Sequence, residues 1–350
     1  MATLSGQPSI HYCGEKLMKV STSWLSKTRH FYSSSTIAAP ATVLIAILVL
    51  FSLFVPNFFS FRSFSGIINA ATLNGALAIG IAFLMVSGEF DLSVGSNLAI
   101  SGYIYGNFSV AGQPFLGLIF ALVVPALLGA VNGIILVRTG IPSFIVTLGT
   151  KYFFRGMLWV ITTGSMLQTV DVLQMDKILA GRMDFLNNLI NEANFRNSLI
   201  WLLALAFIFQ IILGKTKFGN HVFAVGSNPG AALGQGVNVA RVKILSFATS
   251  GLMAGVAGIF LFSQFHTVRV ASGDGMDLSA IAAAVVGGTL ITGGAGNIWG
   301  ALVGALIIST LRTGVVLLDI PFIPADNFEA IVGVTIILAA ILNMYISKRK

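Results

Sequence analysis

Gly214, Lys215 and Thr216 spell the end of a phosphate-cradling loop, and the chemistry such a loop serves is nucleotide hydrolysis. The loop also needs a glycine five residues before Gly214, a strand ahead of it and a helix after it, but position 209 is Phe inside an apolar run. A second glycine-rich stretch, "GGAGNIWG" at 293–300, fails the dinucleotide pattern because position 299 is Trp and no strand precedes it. The chain therefore carries no nucleotide site of its own and no proposed catalytic residue. One cysteine, Cys13, and four scattered histidines offer no metal cluster. The other residues with chemical potential are charges in apolar surroundings. Glu89 and Asp91 lie in "GEFDLSVGS", Asp277 in "GDGMDLSAI", and Lys151 and Arg155 stand four residues apart. Charges of this kind are costly in a bilayer and by default suggest function, although Asp91 with Ser93 and Asp277 with Ser279 are first expected to cap the helices they precede. Glu89 is open to two readings, a sensor or gate and a carboxylate in a solvated mouth. Asn132 and Asn297 complete the set of pathway or gating candidates with Glu89, Asp91, Arg155 and Asp277. The rings at 153, 154 and 159 are expected to pack in the core rather than line a path.

The elements holding these residues follow from composition. Charged residues are 9% of the 350 and apolar ones 56%, and the latter come in blocks such as "SLIWLLALAFIFQIIL" at 198–213. A hydrocarbon core of about 30 Å takes roughly 20 apolar residues per helix, so the chain reads as an all-α polytopic membrane protein. Ten spans are expected, near 37–56, 67–87, 92–109, 114–137, 143–163, 198–214, 242–263, 277–292, 297–318 and 327–346. Residues 1–36 form a polar tail ahead of one transmembrane domain, 37–350. Twelve of the cations outside the spans, among them Arg138, Lys215, Arg241 and Lys348, fall on the face of both termini, and five, such as Arg62 and Arg269, fall on the other. That asymmetry predicts cytoplasmic termini, an external loop at 164–197 and a cytoplasmic loop at 215–240. The net charge of +8 is thus a topology signal and not an affinity for nucleic acid.

The Asp-Leu-Ser copies at 91 and 277 introduce two short, glycine-broken spans. Five spans separate them, so the copies point oppositely through the membrane, the pattern of an inverted repeat with broken helices at its centre. Glycines four apart, Gly129 with Gly133, Gly251 with Gly255, and Gly296, Gly300 and Gly304, are expected to let helices within the subunit approach closely. In the polar loop, "SNPGAALGQG" reads as a miniature helix: Asn228 caps it, Pro229 takes its first position and Gly236 stops it. A helix this short needs a surface to lie on, either its own membrane domain or another protein.

"SGEFDLSVGS", "GAVNGIILVRTGIPSFIVTLGT", "FGNHVFAVGSNPGAALGQGVNVARVK" and "DLSAIAAAVVGGTLITGGAGNIWGALVGALI" follow one another over some 230 residues. In this the chain resembles the permease subunits of ribose-type ATP-binding-cassette importers, a family serving ribose, xylose, galactose-like sugars and autoinducer-2. The resemblance implies that the 228–236 segment is a coupling helix docking on a separate cytoplasmic ATPase. Asn228, Ala231, Ala232 and Gly236 match the family pattern, whereas Pro229, Gly230 and Leu233 replace more polar residues. It also implies a second permease subunit, a periplasmic or extracellular solute-binding protein, a bacterial inner-membrane location and ATP with Mg on the partner alone. Arg155 falls where the family has arginine, and Glu89 where it more often has glycine. The alternative is an ion-gradient-driven secondary transporter using Glu89, Asp91 and Asp277.

Overall fold

The computed structural model describes residues 37–170, 173–190 and 192–318, together with 330, 332–335, 337 and 341. The N-terminal tail and most of the expected tenth span, 327–346, lie outside the described residues. The long helices are α1 (Ala38–Phe54), α2 (Phe61–Val86), α3 (Val94–Val110), α4 (Pro114–Thr139) and α5 (Ser143–Thr162). Two short helices follow, α6 (Gln174–Ala180) and α7 (Asp184–Leu189), and then α8 (Ser198–Lys215), α9 (Lys217–Ser227), α10 (Pro229–Gly234), α11 (Val239–Phe265), α12 (Met276–Val286) and α13 (Ile298–Leu318). Six of these, α2, α4, α5, α8, α11 and α13, are long and apolar enough to cross a membrane, and α1 and α12 are shorter apolar helices. Among the described residues a helix lies at each expected segment with ends within a few residues, apart from α2, which starts six residues early, and α12, which stops at Val286 rather than 292, while six of these helices are long and apolar enough to span.

Helices α2 and α11 form the centre. From Leu73 to Val86 every residue of α2 is buried, and α11 packs on α2, α3 and α4. Between apolar helices in lipid there is no hydrophobic drive to associate, so contact depends on close backbone approach. The glycines supply it as expected: a Cβ on Gly251 would stand 2.1 Å from the Pro125 carbonyl oxygen, and one on Gly129 2.2 Å from that of Phe247. Gly300 and Gly304 do the same between α13 and α12, meeting the oxygens of Gly287 and Ala283. Pro125 inside α4 cannot donate to Ala121, four residues back. The Ser101 hydroxyl of α3 stands 2.9 Å from that freed carbonyl and 2.7 Å from the carbonyl of Gly255, with one hydrogen shared between the two acceptors. The outward faces of α4, α5 and α8 expose Phe115, Leu127, Phe144, Phe153, Leu203 and Phe207, apolar surface of the kind lipid covers.

The segment 164–197 is more than a connecting loop. Strand β1 (Leu167–Gln168) pairs antiparallel with β2 (Thr267–Val268), Leu167 opposite Val268. Asp176 on α6 is buried and accepts hydrogen bonds from Tyr105 Oη at 2.7 Å and Ser263 Oγ at 3.3 Å, which pins α6 to α3 and α11. Asn187 binds both backbone groups of Phe195, and Asn69 of α2 donates to the Asn194 carbonyl.

Candidate coupling and gating site

The polar segment after α8 holds two helices where sequence reasoning expected one. Thr216, the third letter of the false phosphate loop, caps α9: its Oγ1 accepts from Gly219 N at 3.1 Å. Helix α9 buries Gly219, Val222 and Val225 against the core, and Phe218 stacks on Phe83 of α2 with centroids 5.9 Å apart. Helix α10 has the caps that the sequence predicts. Asn228 Oδ1 accepts from Ala231 N at 3.0 Å, and Pro229 occupies the first helical position. Gly236 adopts φ +83°, a conformation that costs glycine least, while its N–H reaches Leu233 O and that of Val237 reaches Ala232 O. Only Ala232 of this helix is buried; Asn228, Pro229, Gly230, Ala231, Leu233 and Gly236 are exposed, Leu233 at 65%. Between α10, the start of α11 and the turn joining α4 to α5 lies a cleft of ≈ 710 Å³, lined by Leu136, Ile141, Leu233 and Val237 with Glu89 and Lys243.

A junction of glycines ties this module to the centre. A Cβ on Gly226, at the end of α9, would stand 1.8 Å from the Val86 carbonyl oxygen, and the same oxygen accepts from Gly294 N at 2.9 Å. Gly293 approaches Gly88 and Gly226 equally closely. The end of α2, the end of α9 and the loop between α12 and α13 therefore meet with backbone atoms in close approach, Ser227 Oγ standing beside Gly294.

Beyond α2 the chain breaks at 87–93, and the charges appear. Glu89 forms an ion pair with Lys243 in the first turns of α11. It is 8% exposed, so it is a paired group at the edge of the cleft and not a freely solvated carboxylate. Asp91 is fully buried. Its Oδ1 accepts from Ser93 N at 2.8 Å and Ser93 Oγ at 2.6 Å, a turn just ahead of α3 in place of the expected cap, since Ser93 holds the cap position and makes no side-chain cap bond, and its Oδ2 accepts from Ser250 Oγ of α11 at 3.0 Å. Because the Ser93 hydroxyl donates to Asp91, it can only accept from Asn132 Nδ2 of α4 at 2.9 Å and Asn97 Nδ2 at 3.4 Å. Among the described residues, the Oδ1 atoms of Asn97 and Asn132, and Ser246 Oγ, are buried without a partner.

The second Asp-Leu-Ser copy behaves differently. Asp277 does not cap α12. It is the second residue of that helix, and its Oδ2 pairs with Lys151 Nζ at 2.6 Å, while Ser279 Oγ donates to Gly275 O. The reason is geometric: Gly275 takes the cap position in a left-handed conformation, which turns Asp277 inward toward α5. Arg155, one turn along α5 from Lys151, pairs with Asp274 at 2.8 Å and donates to Val270 O at 2.8 Å. Helix α5 thus holds the whole 270–277 approach to α12 with two cations. Gly95 of α3 touches Gly273 of the same approach, so the starts of the two broken helices are neighbours.

Asn297 stands apart from this group, its Oδ1 accepting from Trp299 N and Gly300 N as the cap of α13. Of the rings on α5, Phe154 is buried as expected, but Phe153 and Trp159 are 64% and 59% exposed and do not pack in the core. Sequence reasoning passed over Lys243, Ser250, Asn97 and the glycine junction. Lys243 and Ser250 lie seven apart on one helical face, the only signal that could have found them.

A bundle of apolar helices whose few buried charges are paired at or beside the helix breaks, with one exposed capped helix packed against them, defines a polytopic membrane protein built for transport and not for covalent chemistry. The chain belongs to the family described as branched-chain amino acid transport system / permease component, which matches residues 63–340. It is similar to the ribose import permease protein RbsC of Bacillus subtilis (strain 168), 32% identical over 320 residues, 91% of this chain and 95% of that one. It is likewise similar to the L-arabinose ABC transporter permease protein AraH of Azospirillum brasilense, 34% identical over 80% of each chain. The autoinducer 2 import system permease protein LsrC of Yersinia enterocolitica is 34% identical over 80% of this chain and 76% of that one. No solved structure matches.

Proposed function

We propose that the chain is the membrane subunit of an ATP-driven, binding-protein-dependent importer of a small polar solute, a simple sugar or autoinducer-2. The solute class is that of its relatives, the ribose, L-arabinose and autoinducer 2 permeases. On this reading it works as a pair of permease subunits in the bacterial inner membrane. An ATPase holding ATP and Mg lies on the cytoplasmic side, and a solute-binding protein docks outside. Both termini and α9–α10 are cytoplasmic, and 164–197 is external.

The observation that carries this reading is α10: fully capped, anchored by Ala232 alone, and otherwise offered to solvent. Asn228, Pro229, Ala231, Leu233 and Gly236 would meet the ATPase, and the glycine junction would pass movement of α9 to the end of α2 and the α12–α13 loop. The Glu89 and Lys243 pair and the Asp91, Ser93, Asn132 and Ser250 network lie next along that line. Their unpartnered oxygens on Asn97, Asn132 and Ser246 give spare hydrogen-bonding capacity to a region that must exchange partners between two arrangements. This reading has ten spans, and its inverted repeat is supported by the packing of α2 against α12 and α13 and of α11 against α3 and α4, the exchange expected if α2 and α11 are equivalent.

Deleting residues 227–235 tests the reading. Membrane insertion is expected to survive, whereas co-purification with an ATPase is expected to be lost. Retention of the ATPase by the deleted chain would overturn the docking role of α10.

A further inference from the structure

The segment that leads into α8 sets two arginines face to face. Arg182 and Arg196 form an antiparallel bridge, flanked by hydrogen bonds from Met183 N to Phe195 O and from Asn197 N to Gly181 O. Those flanking bonds make it a non-hydrogen-bonded pair, the register in which opposed Cα atoms stand about 4.5 Å apart and the two side chains are closest. Like charges directly opposite one another destabilise such a pair, and a carboxylate beside them is the expected remedy. Neither arginine forms an ion pair among the described residues, and Asp184 and Glu192, the acids nearest in the chain, are exposed. Arg196 donates from Nη1 to Ala180 O at 3.1 Å, but its Nε is buried without a partner among the described residues. Burial first, and Arg182 second, lower the Arg196 pKa from the usual arginine value. A guanidinium still keeps its charge in a protein, so the fold holds two cations and an idle donor together without a balancing anion among the described residues. A third cation, Lys177, lies in the last turn of α6, where its carbonyl accepts from Asn197 Nδ2 at 2.8 Å.

The height of this cluster in the membrane follows from α8. Arg196 stands two residues before Ser198, the start of an 18-residue apolar helix that at about 1.5 Å per residue is about 27 Å long, nearly all of a hydrocarbon core of about 30 Å. The residues just ahead of such a helix lie at the level of the headgroups. Helix α2, also long and apolar enough to span, fixes the same segment from its first three turns: Ser65 Oγ accepts from Asn194 N at 3.0 Å, and Asn69 Nδ2 donates to Asn194 O at 2.7 Å. Trp201, in the first turn of α8, is 43% exposed and donates to Ile178 O, the placement in which a tryptophan ring meets a membrane interface.

We propose that Arg182 and Arg196 bind the phosphate of an anionic phospholipid at the rim of the membrane. The forked donors of a guanidinium match the two non-bridging oxygens of a phosphodiester, and two unbalanced positive charges call for a ligand of net negative charge and not for a zwitterion. A lipid phosphate is favoured over a protein carboxylate because the pair stands at headgroup height, where lipid supplies the anion continuously. A seated headgroup relieves the repulsion between the arginines, engages the idle Nε and fastens the 182–196 turn to the start of α8.

The test is native mass spectrometry of the assembled importer with phosphatidylglycerol or phosphatidylcholine of identical chains, alongside melting temperatures in the same two lipids. Phosphatidylglycerol is expected to be retained about tenfold more strongly than phosphatidylcholine, the factor that corresponds to about 1.4 kcal/mol, and Arg196→Gln is expected to abolish the preference. Arg182→Gln is the second variant should Arg196→Gln fail to assemble. Because it removes one of two repelling charges, it is expected to melt no lower than the unaltered chain in phosphatidylcholine and to melt lower in phosphatidylglycerol. Arg269→Gln, on the exposed cation after β2, is expected to change neither readout. Equal retention of the two lipids, a preference that survives loss of either Arg182 or Arg196, or an Arg182→Gln variant that melts lower in both lipids would each overturn the proposal. So would displacement of the lipid by inorganic phosphate, or cross-links from the two arginines to carboxylates of a second protein in its place.

Discussion

A lysine carried to the middle of a span is tolerable only if something takes its charge, and for Lys151 that partner is Asp277, 126 residues away in sequence. Among the described residues Asp277 Oδ1 has no partner, so there the site is held by one strong contact and not by a saturated network. Removing one member of a buried pair strands the other, at a cost of about 3–5 kcal/mol. Lys151→Met is therefore expected to lower the melting temperature of the detergent-solubilised protein sharply. The double variant Lys151→Met with Asp277→Asn should lose less than Lys151→Met alone, because no stranded charge remains. Additive losses in that cycle would show that the two side chains do not act as a pair. The sequence made both charges visible as anomalies but did not join them, since nothing local in "TLGTKYFFRG" indicates which carboxylate its lysine meets.

At the scale of elements, the crossing of α4 over α11 is set by glycines whose neighbours are backbone atoms that cannot step aside. Gly251→Ala brings a Cβ to 2.1 Å from Pro125 O and is expected to destabilise by about 1–3 kcal/mol, the usual range for overpacking. Gly149→Ala in α5 meets nothing within 4 Å and is expected to be neutral or to stabilise by up to about 1 kcal/mol, as for an open helical glycine. Equal thermal shifts for the two variants would show that the crossing is not set by close approach. The spacing of these glycines was legible in the sequence because four residues is one helical turn, and so were both caps of α10, which are local by nature. Helix α9 was not legible as a helix. Its eleven residues place Phe218, Val222 and Val225 on one face but are interrupted by two glycines and a histidine, so the apolar rhythm is too brief to separate from an anchored loop. The local structure of 164–197 was hidden for another reason: its order comes from contacts with α2, α3 and α11, far away in the chain.

For the whole molecule, hydropathy located the long apolar helices, six of them long enough to span, because a bilayer enforces length and apolarity segment by segment, and the ordered motifs pointed to the permease family that the comparison with known proteins establishes. The route by which α10 reaches the broken helices was not legible, since it runs through the backbones of Gly88, Gly226, Gly293 and Gly294, which only the fold brings together. The central claim is that this route delivers work from a nucleotide engine the chain itself lacks. The most direct measurement is solute uptake by the complete assembly in proteoliposomes, with ATP supplied only on the side that α10 faces and an ionophore present. The account predicts uptake that requires ATP, withstands the ionophore and is abolished by Leu233→Asp on the exposed face of α10. Uptake by this chain alone, without ATP and collapsed by the ionophore, would contradict it.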